Sequence, residues 1–143
     1  AQPGLQFHLP GGAGHGGGIR LDHQLSGGRE TFDLACAAAG VQPEARRLDP
    51  MELPADLAPF DLVLFLGVFY HLRNPIPVME ALGRLTAQVC VVETHQNALE
   101  EVRPAMIFYP WNELDGDATN WWGPNPPLMT ALLLGAGFTR IRY

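Results

Sequence analysis

The segment that most constrains the fold is the apolar run at 60–69, which reads Phe-Asp-Leu-Val-Leu-Phe-Leu-Gly-Val-Phe. Apolar side chains at almost every position are typical of a strand buried on both faces, as at the centre of a parallel sheet. A polar turn follows the run, and Asn74-Pro75 then begins a helical pattern that continues to about Leu85. The run therefore predicts a strand, a turn and a helix in succession.

Predicted strands and helices alternate along the rest of the chain. The predicted strands are 19–23, 44–49, 60–69, 88–94 and 138–143, and the predicted helices are 29–39, 74–85 and 126–135. This alternation predicts an α/β domain built on a mostly parallel, doubly wound sheet with helices on both faces. The polar and aromatic stretch at 97–123 is too long for a simple connector, so we expect it to be functional.

Composition indicates one ordered domain over residues 19–143, after a glycine-rich and flexible lead-in at 1–18. Hydrophobic residues make up 47% of the chain, and the formal charge of −6 argues against a broad electrostatic grip on nucleic acid. No apolar run is long enough for a membrane span, and no secretory signal begins the chain. We therefore expect a cytoplasmic protein without a membrane partner, in which Cys36 and Cys90 are buried free thiols.

Ligands of parallel sheets bind beyond the carboxyl ends of the strands, so polar residues at those ends are candidates. Asp22 and Asp49 end two predicted strands, where a carboxylate can accept hydrogen bonds from ribose or adenine. Each is also a common turn or helix-cap residue, and that alternative stays open.

The turn after the apolar run carries a second set of candidates. Gly67 allows close approach of a ligand to the backbone, and Tyr70 and His71 offer aromatic faces with polar tips. They could equally be a core aromatic and a satisfied histidine. No other His or Cys lies at ligand spacing, so no metal site is predicted. The Trp121-Trp122 pair either stacks on a substrate or packs its loop onto the sheet.

Taken together, these segments resemble class I S-adenosylmethionine-dependent methyltransferases of the group that includes the tRNA wobble-uridine 5-oxyacetic acid methyltransferases. The segment 60–75 is similar to the group's fourth-strand motif, which reads Phe-Asp-x-Val-x-x-x-Gly-Val-Leu-Tyr-His. Weaker likenesses lie at 91–94, 120–124 and 136–138. The resemblance covers roughly residues 19–143 and implies a Rossmann-like fold.

The resemblance also implies roles for individual residues. Asp22, with His23 beside it, would hold the donor ribose; Asp49, Pro50 and Met51 would flank the adenine; and Leu66, Gly67 and Tyr70 would line the methyl side. The donor would be S-adenosylmethionine or its carboxylated form, whose extra carboxylate Tyr70 would help to hold. Independently of the resemblance, Tyr70 and His71 are the candidate catalytic residues, and the candidate acceptor contacts are Arg73, Asn120, Trp122 and His95, which follows a predicted strand.

The chain departs from the family pattern at both ends. The first-strand motif, an acid followed by Gly-x-Gly, is missing, and the chain stops near the sixth strand, so we expect a domain incomplete at both ends. The acceptor would be a tRNA wobble-uridine oxygen or a small molecule. A degenerate domain that only binds a partner is the alternative. A nucleotide-dependent oxidoreductase lacks support, because no Gly-x-Gly-x-x-Gly follows a predicted strand.

Overall fold

We describe the protein from a computed structural model, in which the structure describes residues 5–8, 18–21, 28–46 and 48–143. In chain order the elements are β1 (Leu5–His8), β2 (Gly18–Leu21), α1 (Gly28–Ala39), β3 (Phe60–Leu66), α2 (Pro75–Leu85), β4 (Thr86–Glu93), β5 (Met106–Phe108), β6 (Trp122–Pro124) and α3 (Pro126–Gly135). Two short 3₁₀ helices lie at Pro50–Glu52 and Phe69–His71. The predicted α/β class is therefore confirmed.

The larger sheet has the strand order β2-β1-β3-β4, and its strands do not all run the same way. β1 is antiparallel to both neighbours, with Phe7 opposite Ile19 on one side and Val63 on the other. β3 and β4 are parallel, because a bond from Gln88 to Asp61 joins their starts and a bond from the Gly67 amide to the Glu93 carbonyl joins their ends. The described sheet is thus mixed, whereas the sequence predicted a mostly parallel one.

Contacts divide the chain into two compact units, Ala1–Leu66 with Leu85–Val92, and Gly67–Arg84 with Glu93–Tyr143. In the first unit the predicted central strand is confirmed as β3, and Phe60, Val63 and Phe65 are buried. The apolar residues of β4 are typical of a buried strand, but Val89 and Val91 are 52% and 43% exposed. β4 stands last in the strand order, so only one of its edges is paired within the described sheet.

The first unit also contains α1, which confirms the predicted helix and its end at Gly40. Gly40 has a φ of +67°, and the amide of Val41 donates to the carbonyl of Cys36, which closes the helix by a left-handed cap. The apolar side chain of Leu34 on this helix is 72% exposed. Burial falls instead on Phe32 and Cys36, which are one turn apart and partly covered.

Cys36 and Cys90 form no disulfide, as predicted, but both are only partly buried, whereas the sequence predicted buried thiols. Burial raises the pKa of the Cys90 thiol to about 11, and a hydrogen bond with Thr86 offsets only part of that rise. Cys90 is therefore a packing residue of β4 that stays protonated near neutral pH.

Two predicted strands are wrong. At 44–49 only Ala45 makes an isolated bridge, and the segment ends in the 3₁₀ helix that Asp49 caps. At 138–143 the chain is irregular. The hydroxyl of Tyr143 donates to the carbonyl of Pro126. Short apolar runs form strands only where a neighbouring backbone accepts and donates their hydrogen bonds, and neither run has that ladder among the described residues.

The second unit is built around α2 and α3. Its buried apolar residues are Val68, Phe69, Leu72, Val78, Met79, Leu82, Tyr109 and Met129. Asn125 caps α3 and is fully buried. Its Oδ1 accepts from the amides of Leu128 and Ala105, and its Nδ2 donates to the carbonyls of Glu101 and Arg103. One asparagine therefore holds the loop before β5 against the start of α3.

Part of the expected lead-in is ordered as β1, which the sequence analysis did not predict. Leu5 and Phe7 alternate with polar residues, which is the period of a strand. The glycine-rich stretch at 11–17 lies outside the described residues, as do Asp22 and His23. Across the part of the chain that the structure describes, no helix is long and apolar enough to span a membrane.

We predict that Gly83→Ala destabilises the second unit by about 3 kcal/mol, near the upper end of the usual cost of overpacking. A Cβ at Gly83 would lie 1.8 Å from the carbonyl oxygen of Ala136, a backbone atom that has no side-chain freedom to move. Urea unfolding followed by circular dichroism measures the change. Gly135→Ala is the matched control, because a Cβ there meets nothing within 4 Å, and it should be neutral or slightly stabilising. Equal midpoints for the two variants would contradict the predicted clash.

Candidate functional site

A glycine turn at the carboxyl end of β3 positions the first candidate residues. Gly67 follows β3 directly and has a φ of +64°, which side-chain-bearing residues rarely adopt. Its amide donates to the carbonyl of Glu93, the last residue of β4, at 3.0 Å. The chain then enters the 3₁₀ helix Phe69–His71, in which Phe69 is buried and Tyr70 and His71 are partly exposed. The turn therefore presents Tyr70 and His71 beside the end of β4.

Four rings form a continuous row in the second unit. Tyr70 lies against His71 with ring centroids 4.3 Å apart, and against the edge of His95 at 6.5 Å. His95 in turn meets Tyr109 edge-on at 5.7 Å. We call His71, Tyr70, His95 and Tyr109 the aromatic row. It brings together three residues that the sequence analysis selected, Tyr70, His71 and His95.

His71 is fixed at one end of the row by Thr119. The Nδ1 of His71 lies 2.9 Å from the Thr119 carbonyl oxygen and 3.1 Å from the Thr119 hydroxyl. The hydroxyl donates to the Oδ1 of Asp117 at 2.7 Å, and the Thr119 amide donates to the same atom at 2.8 Å. Asp117, Thr119 and His71 are therefore linked in one hydrogen-bonded chain.

The pKa of Asp117 is lowered, mainly by the side-chain and backbone hydrogen bonds from Thr119 and to a smaller extent by the charge of His71. Each of these interactions favours the carboxylate over the carboxylic acid. Asp117 is therefore ionised at neutral pH and acts only as an acceptor.

The pKa of Tyr70 is raised, first by burial and then by the negative charges of Glu93, Asp115 and Asp117. Both causes disfavour the phenolate. The Tyr70 hydroxyl is thus a proton-bearing donor throughout the neutral range, and the same three carboxylates make its surroundings favourable for a cation.

Tyr109 closes the other end of the row. It is 6% exposed, and its hydroxyl oxygen lies 3.0 Å from the Nε2 of His95 and accepts from the Nδ2 of Asn97. A Cβ on Gly123 would lie 2.6 Å from this hydroxyl, so glycine leaves the room that the contact needs. Tyr109 therefore orients His95 from a buried position.

The Trp121-Trp122 pair attaches the β5–β6 ribbon to the turn. The Trp121 amide donates to the Tyr70 carbonyl at 2.7 Å, and the Trp122 indole donates to the Leu72 carbonyl at 2.8 Å. Trp121 also stacks with Phe108 and lies under the guanidinium of Arg73, 4.8 Å from the ring centroid. Of the two interpretations left open by the sequence, these contacts favour packing for both indoles.

Asn120 is the predicted acceptor contact that is most deeply placed. It is 6% exposed, and its Nδ2 donates to the carbonyl of Leu114 at 3.0 Å. Its Oδ1 is buried without a hydrogen-bond partner. Its present contacts hold the 114–120 loop together.

The remaining predicted donor contacts lie in the first unit. Asp49 is exposed, and its side chain accepts from the Met51 amide at 2.9 Å, which is the helix-cap arrangement that the sequence left open. Pro50 is buried, and Met51 and Leu66 are 40% and 38% exposed. Asp22 and His23 lie outside the described residues.

Sequence reasoning missed three residues of the second-unit site, Asp117, Thr119 and Tyr109. The Asp-x-Thr pattern at 117–119 is typical of a turn in which the carboxylate binds the backbone two residues on, and that pattern was a usable signal. Tyr109 carries no local signal, because its partners His95 and Asn97 are reached only through the fold.

Comparison with curated proteins gives a consistent set of relatives. The chain is 32% identical over 98 residues to the tRNA U34 carboxymethyltransferase of Pseudomonas putida, a match that spans 64% of this chain and 28% of that protein. It is 34% identical over 110 residues to the protein of that name from Pseudomonas fluorescens, over 71% of this chain and 32% of the relative. The corresponding protein of Trichlorobacter lovleyi is 33% identical over 97 residues, 63% of this chain and 28% of its own length.

This chain is similar in sequence to the tRNA U34 carboxymethyltransferases. The resemblance inferred from the 60–75 motif is thereby confirmed. The chain spans less than a third of the length of these relatives. No family model matches it.

Comparison with solved structures supports the same fold. The N-terminal domain of EvdMO1 with SAH bound matches with a TM-score of 0.56 and 19% identity, over 84% of this chain and 54% of that one. The same domain in the presence of SAH and D-fucose also gives a TM-score of 0.56 and 19% identity, over 84% of this chain and 55% of that one. The described elements therefore share the fold of a domain that has been solved with SAH.

We predict that the amide resonance of Thr119 titrates with a midpoint below the usual aspartate value of about 3.9. The pKa of Asp117 is lowered in the folded protein, so the bonds from Thr119 are present at neutral pH and are lost as the pH falls through that lowered value. Two-dimensional ¹H–¹⁵N spectra between neutral pH and pH 2 measure the midpoint. Asp117→Asn should abolish the titration, and a midpoint at or above that of an ordinary aspartate would contradict the assignment.

Proposed function

We propose that this chain carries the methyl-transfer side of an S-adenosylmethionine-dependent methyltransferase that acts on an oxygen of a tRNA wobble uridine. The observation that carries the proposal is the 32% and 34% identity of this chain to proteins named tRNA U34 carboxymethyltransferase. The likeness to a domain solved with SAH supports it, because SAH is what remains of S-adenosylmethionine after methyl transfer. A cytoplasmic location follows from a tRNA substrate.

We infer that the described α/β elements are part of a Rossmann-like, doubly wound sheet. In chain order β3 is followed by α2 and then by β4, which is parallel to β3. This strand–helix–strand motif is the one from which such sheets are built. In folds of this kind the ligand lies beyond the carboxyl ends of the strands, which is where Gly67 and Glu93 meet.

The residues around Tyr70 fit a cationic donor. Glu93, Asp115 and Asp117 all act electrostatically on the Tyr70 hydroxyl, and a sulfonium beside them would be stabilised by the same negative charge. The phenol can donate one hydrogen bond to the donor's carboxylate or, in the carboxylated form, to its extra carboxylate. The negative charges of Glu93, Asp115 and Asp117 favour S-adenosylmethionine itself, because the carboxylated donor carries a further negative charge. The relatives are named carboxymethyltransferases, which favours the carboxylated donor. Both donors are therefore tested.

The donor supplies an activated one-carbon group on sulfur, and the protein supplies alignment and a proton acceptor. In-line transfer requires the acceptor oxygen, the carbon and the sulfur to lie in one line. A protein that holds them in this geometry lowers the entropic part of the activation barrier. Tyr70 would hold the donor and His71 would take the proton of the acceptor hydroxyl. His95 would orient the acceptor from its fixed place beside Tyr109. Asp49, Pro50, Met51 and Leu66 remain predicted contacts of the adenosyl part.

A small-molecule acceptor is the second candidate. The domain solved in the presence of SAH and D-fucose shows which chemical class to test, namely a sugar hydroxyl. The formal charge of −6 also favours an uncharged acceptor over a polyanion. A module that binds a partner without chemistry is the third.

We expect purified protein to bind S-adenosylmethionine and SAH saturably in isothermal titration, and to add a methyl or carboxymethyl group to tRNA when supplied with the matching donor. Mass spectrometry of the digested tRNA nucleosides detects the product. Donor binding with transfer to a sugar and none to tRNA would favour the small-molecule candidate. A folded protein that binds neither SAH nor either donor would sink the proposal.

We predict that Tyr70→Phe weakens donor binding about fivefold to tenfold, the usual worth of one hydrogen bond. Because the Tyr70 pKa is raised, the phenol stays protonated, and affinity should not fall between pH 7 and pH 9 on its account. Calorimetry at both pH values measures this. Tyr143→Phe is the matched control, since that hydroxyl is exposed and bonds to Pro126 and Thr130. Equal effects of the two substitutions would argue against a donor contact at Tyr70.

A further inference from the structure

We propose that Asp117 and Thr119 are positioning residues that hold His71 as the Nδ1-protonated tautomer, so that its Nε2 accepts the proton of the methyl acceptor. The inference rests on the proposed function, in which His71 is the base. It adds two residues that the sequence analysis did not select, and it assigns the proton to one ring nitrogen.

The assignment follows from what each atom around Nδ1 can do. The Thr119 carbonyl oxygen at 2.9 Å can only accept, so the ring nitrogen facing it must donate. The Thr119 hydroxyl at 3.1 Å has a single proton, and that proton is directed to Asp117 at 2.7 Å. The hydroxyl oxygen therefore also presents a lone pair to His71. Both neighbours require a proton on Nδ1, and in the neutral ring this leaves the lone pair on Nε2.

Asp117 determines which way the Thr119 hydroxyl points. As a carboxylate it can only accept, and it receives both the hydroxyl and the amide of Thr119. Without it the hydroxyl could turn and donate to Nδ1 in competition with the Thr119 carbonyl, which would favour the form with the proton on Nε2. Asp117 acts on His71 through Thr119, and it has the orienting role that a third group commonly has beside a catalytic histidine.

The loop is anchored on both sides of Thr119. The hydrogen-bonded chain from Asp117 through Thr119 to His71, which we call the relay, therefore has a fixed geometry. The Asn120 amide donates to the Asp117 carbonyl at 3.1 Å, and the Trp121 amide donates to the Tyr70 carbonyl at 2.7 Å. The second bond ends on the residue next to His71 in the chain. The relay and the ring that it orients are therefore held by the same short stretch of backbone.

The aromatic row offers no better base. The Tyr70 phenol keeps its proton, because burial and three nearby carboxylates raise its pKa. The Nε2 of His95 is engaged by the hydroxyl of the buried Tyr109. His71 is the member of the row whose Nδ1 faces a carbonyl that can only accept and a hydroxyl whose proton is directed to Asp117. In the transfer step the acceptor oxygen forms a bond to the methyl carbon, the carbon–sulfur bond breaks with its pair on sulfur, and the hydroxyl proton goes to Nε2.

Long-range ¹H–¹⁵N spectra of the histidine side chains of the whole 143-residue chain test the tautomer without any substrate. Wild-type His71 should show a protonated Nδ1 and a pyridine-like Nε2. Asp117→Ala, which lets the Thr119 hydroxyl donate to Nδ1, should raise the share of the Nε2-protonated form, whereas Thr119→Ala keeps the backbone carbonyl and should retain the wild-type pattern. A wild-type His71 that carries its proton on Nε2 overturns the proposal whether or not the protein is an active methyltransferase.

Kinetics give the second readout. Asp117→Ala should lower kcat by about tenfold or more, within the range that a positioned base contributes, and it should also raise KM for the donor, because it removes one of the three negative charges near Tyr70. Glu113→Ala removes an exposed carboxylate from the same loop and should leave kcat unchanged. A loss of kcat in Asp117→Ala with an unaltered His71 tautomer rejects the positioning role, and so does full activity of Asp117→Ala. If the wild type transfers nothing to any acceptor, the proposed function fails, and the tautomer spectra still decide the relay.

Discussion

The left-handed backbone at Gly67 is the constraint on which the second-unit site depends. β3 delivers the chain to this point as an extended strand, and a positive φ at its end turns the chain at once into a 3₁₀ helix. An L side chain at Gly67 would strain that conformation. Its amide is used as well, since it binds the end of β4. The positions of Tyr70 and His71 follow from one residue that has no side chain.

Most side-chain hydrogen bonds described in the second unit join a polar side chain to a backbone amide or carbonyl. Asn125 satisfies all of its side-chain hydrogen-bonding capacity with the amides and carbonyls of two segments. Thr119 and Asp117 follow the same pattern in the loop beside His71. Buried polar groups are costly unless they are paired, so each such residue fixes its loop to a single arrangement. The buried and unpaired Oδ1 of Asn120 is the exception in this region.

The parts of the structure that the sequence predicted are those with local signals. β3, α1, α2 and α3 were found from periodicity and from their Gly and Pro boundaries, and α3 agrees to the residue because Asn125 caps it and Pro126 begins it. The strands at 44–49 and 138–143 were wrong because a strand depends on its neighbour, which a single run of residues does not specify. The direction of β1 depends on pairing with β2 and β3, which lie far from it in sequence or across a glycine-rich segment.

The candidate site divides in the same way. Gly67, Tyr70 and His71 are adjacent in sequence, so one motif identified them together. His95 was selected from its place after a strand, but the hydroxyl that holds it belongs to Tyr109, 14 residues further along the chain. Thr119 is 48 residues from His71. Contacts over such separations come only from the folded chain, and they carry most of the chemistry assigned to the site.

The amide of Trp121 joins two regions that differ in sequence and in role. The N–H of Trp121 donates to the carbonyl of Tyr70, and the carbonyl of Trp121 accepts from the amide of Tyr109. Backbone groups linked in series in this way cannot be exposed to solvent one at a time at low cost. Opening of the β5–β6 ribbon at Trp121 would therefore also break the hydrogen bond that holds the Tyr70 carbonyl. A molecule that binds and holds the ribbon closed would thus help to keep the Tyr70 backbone in place, even if it never touches the phenol.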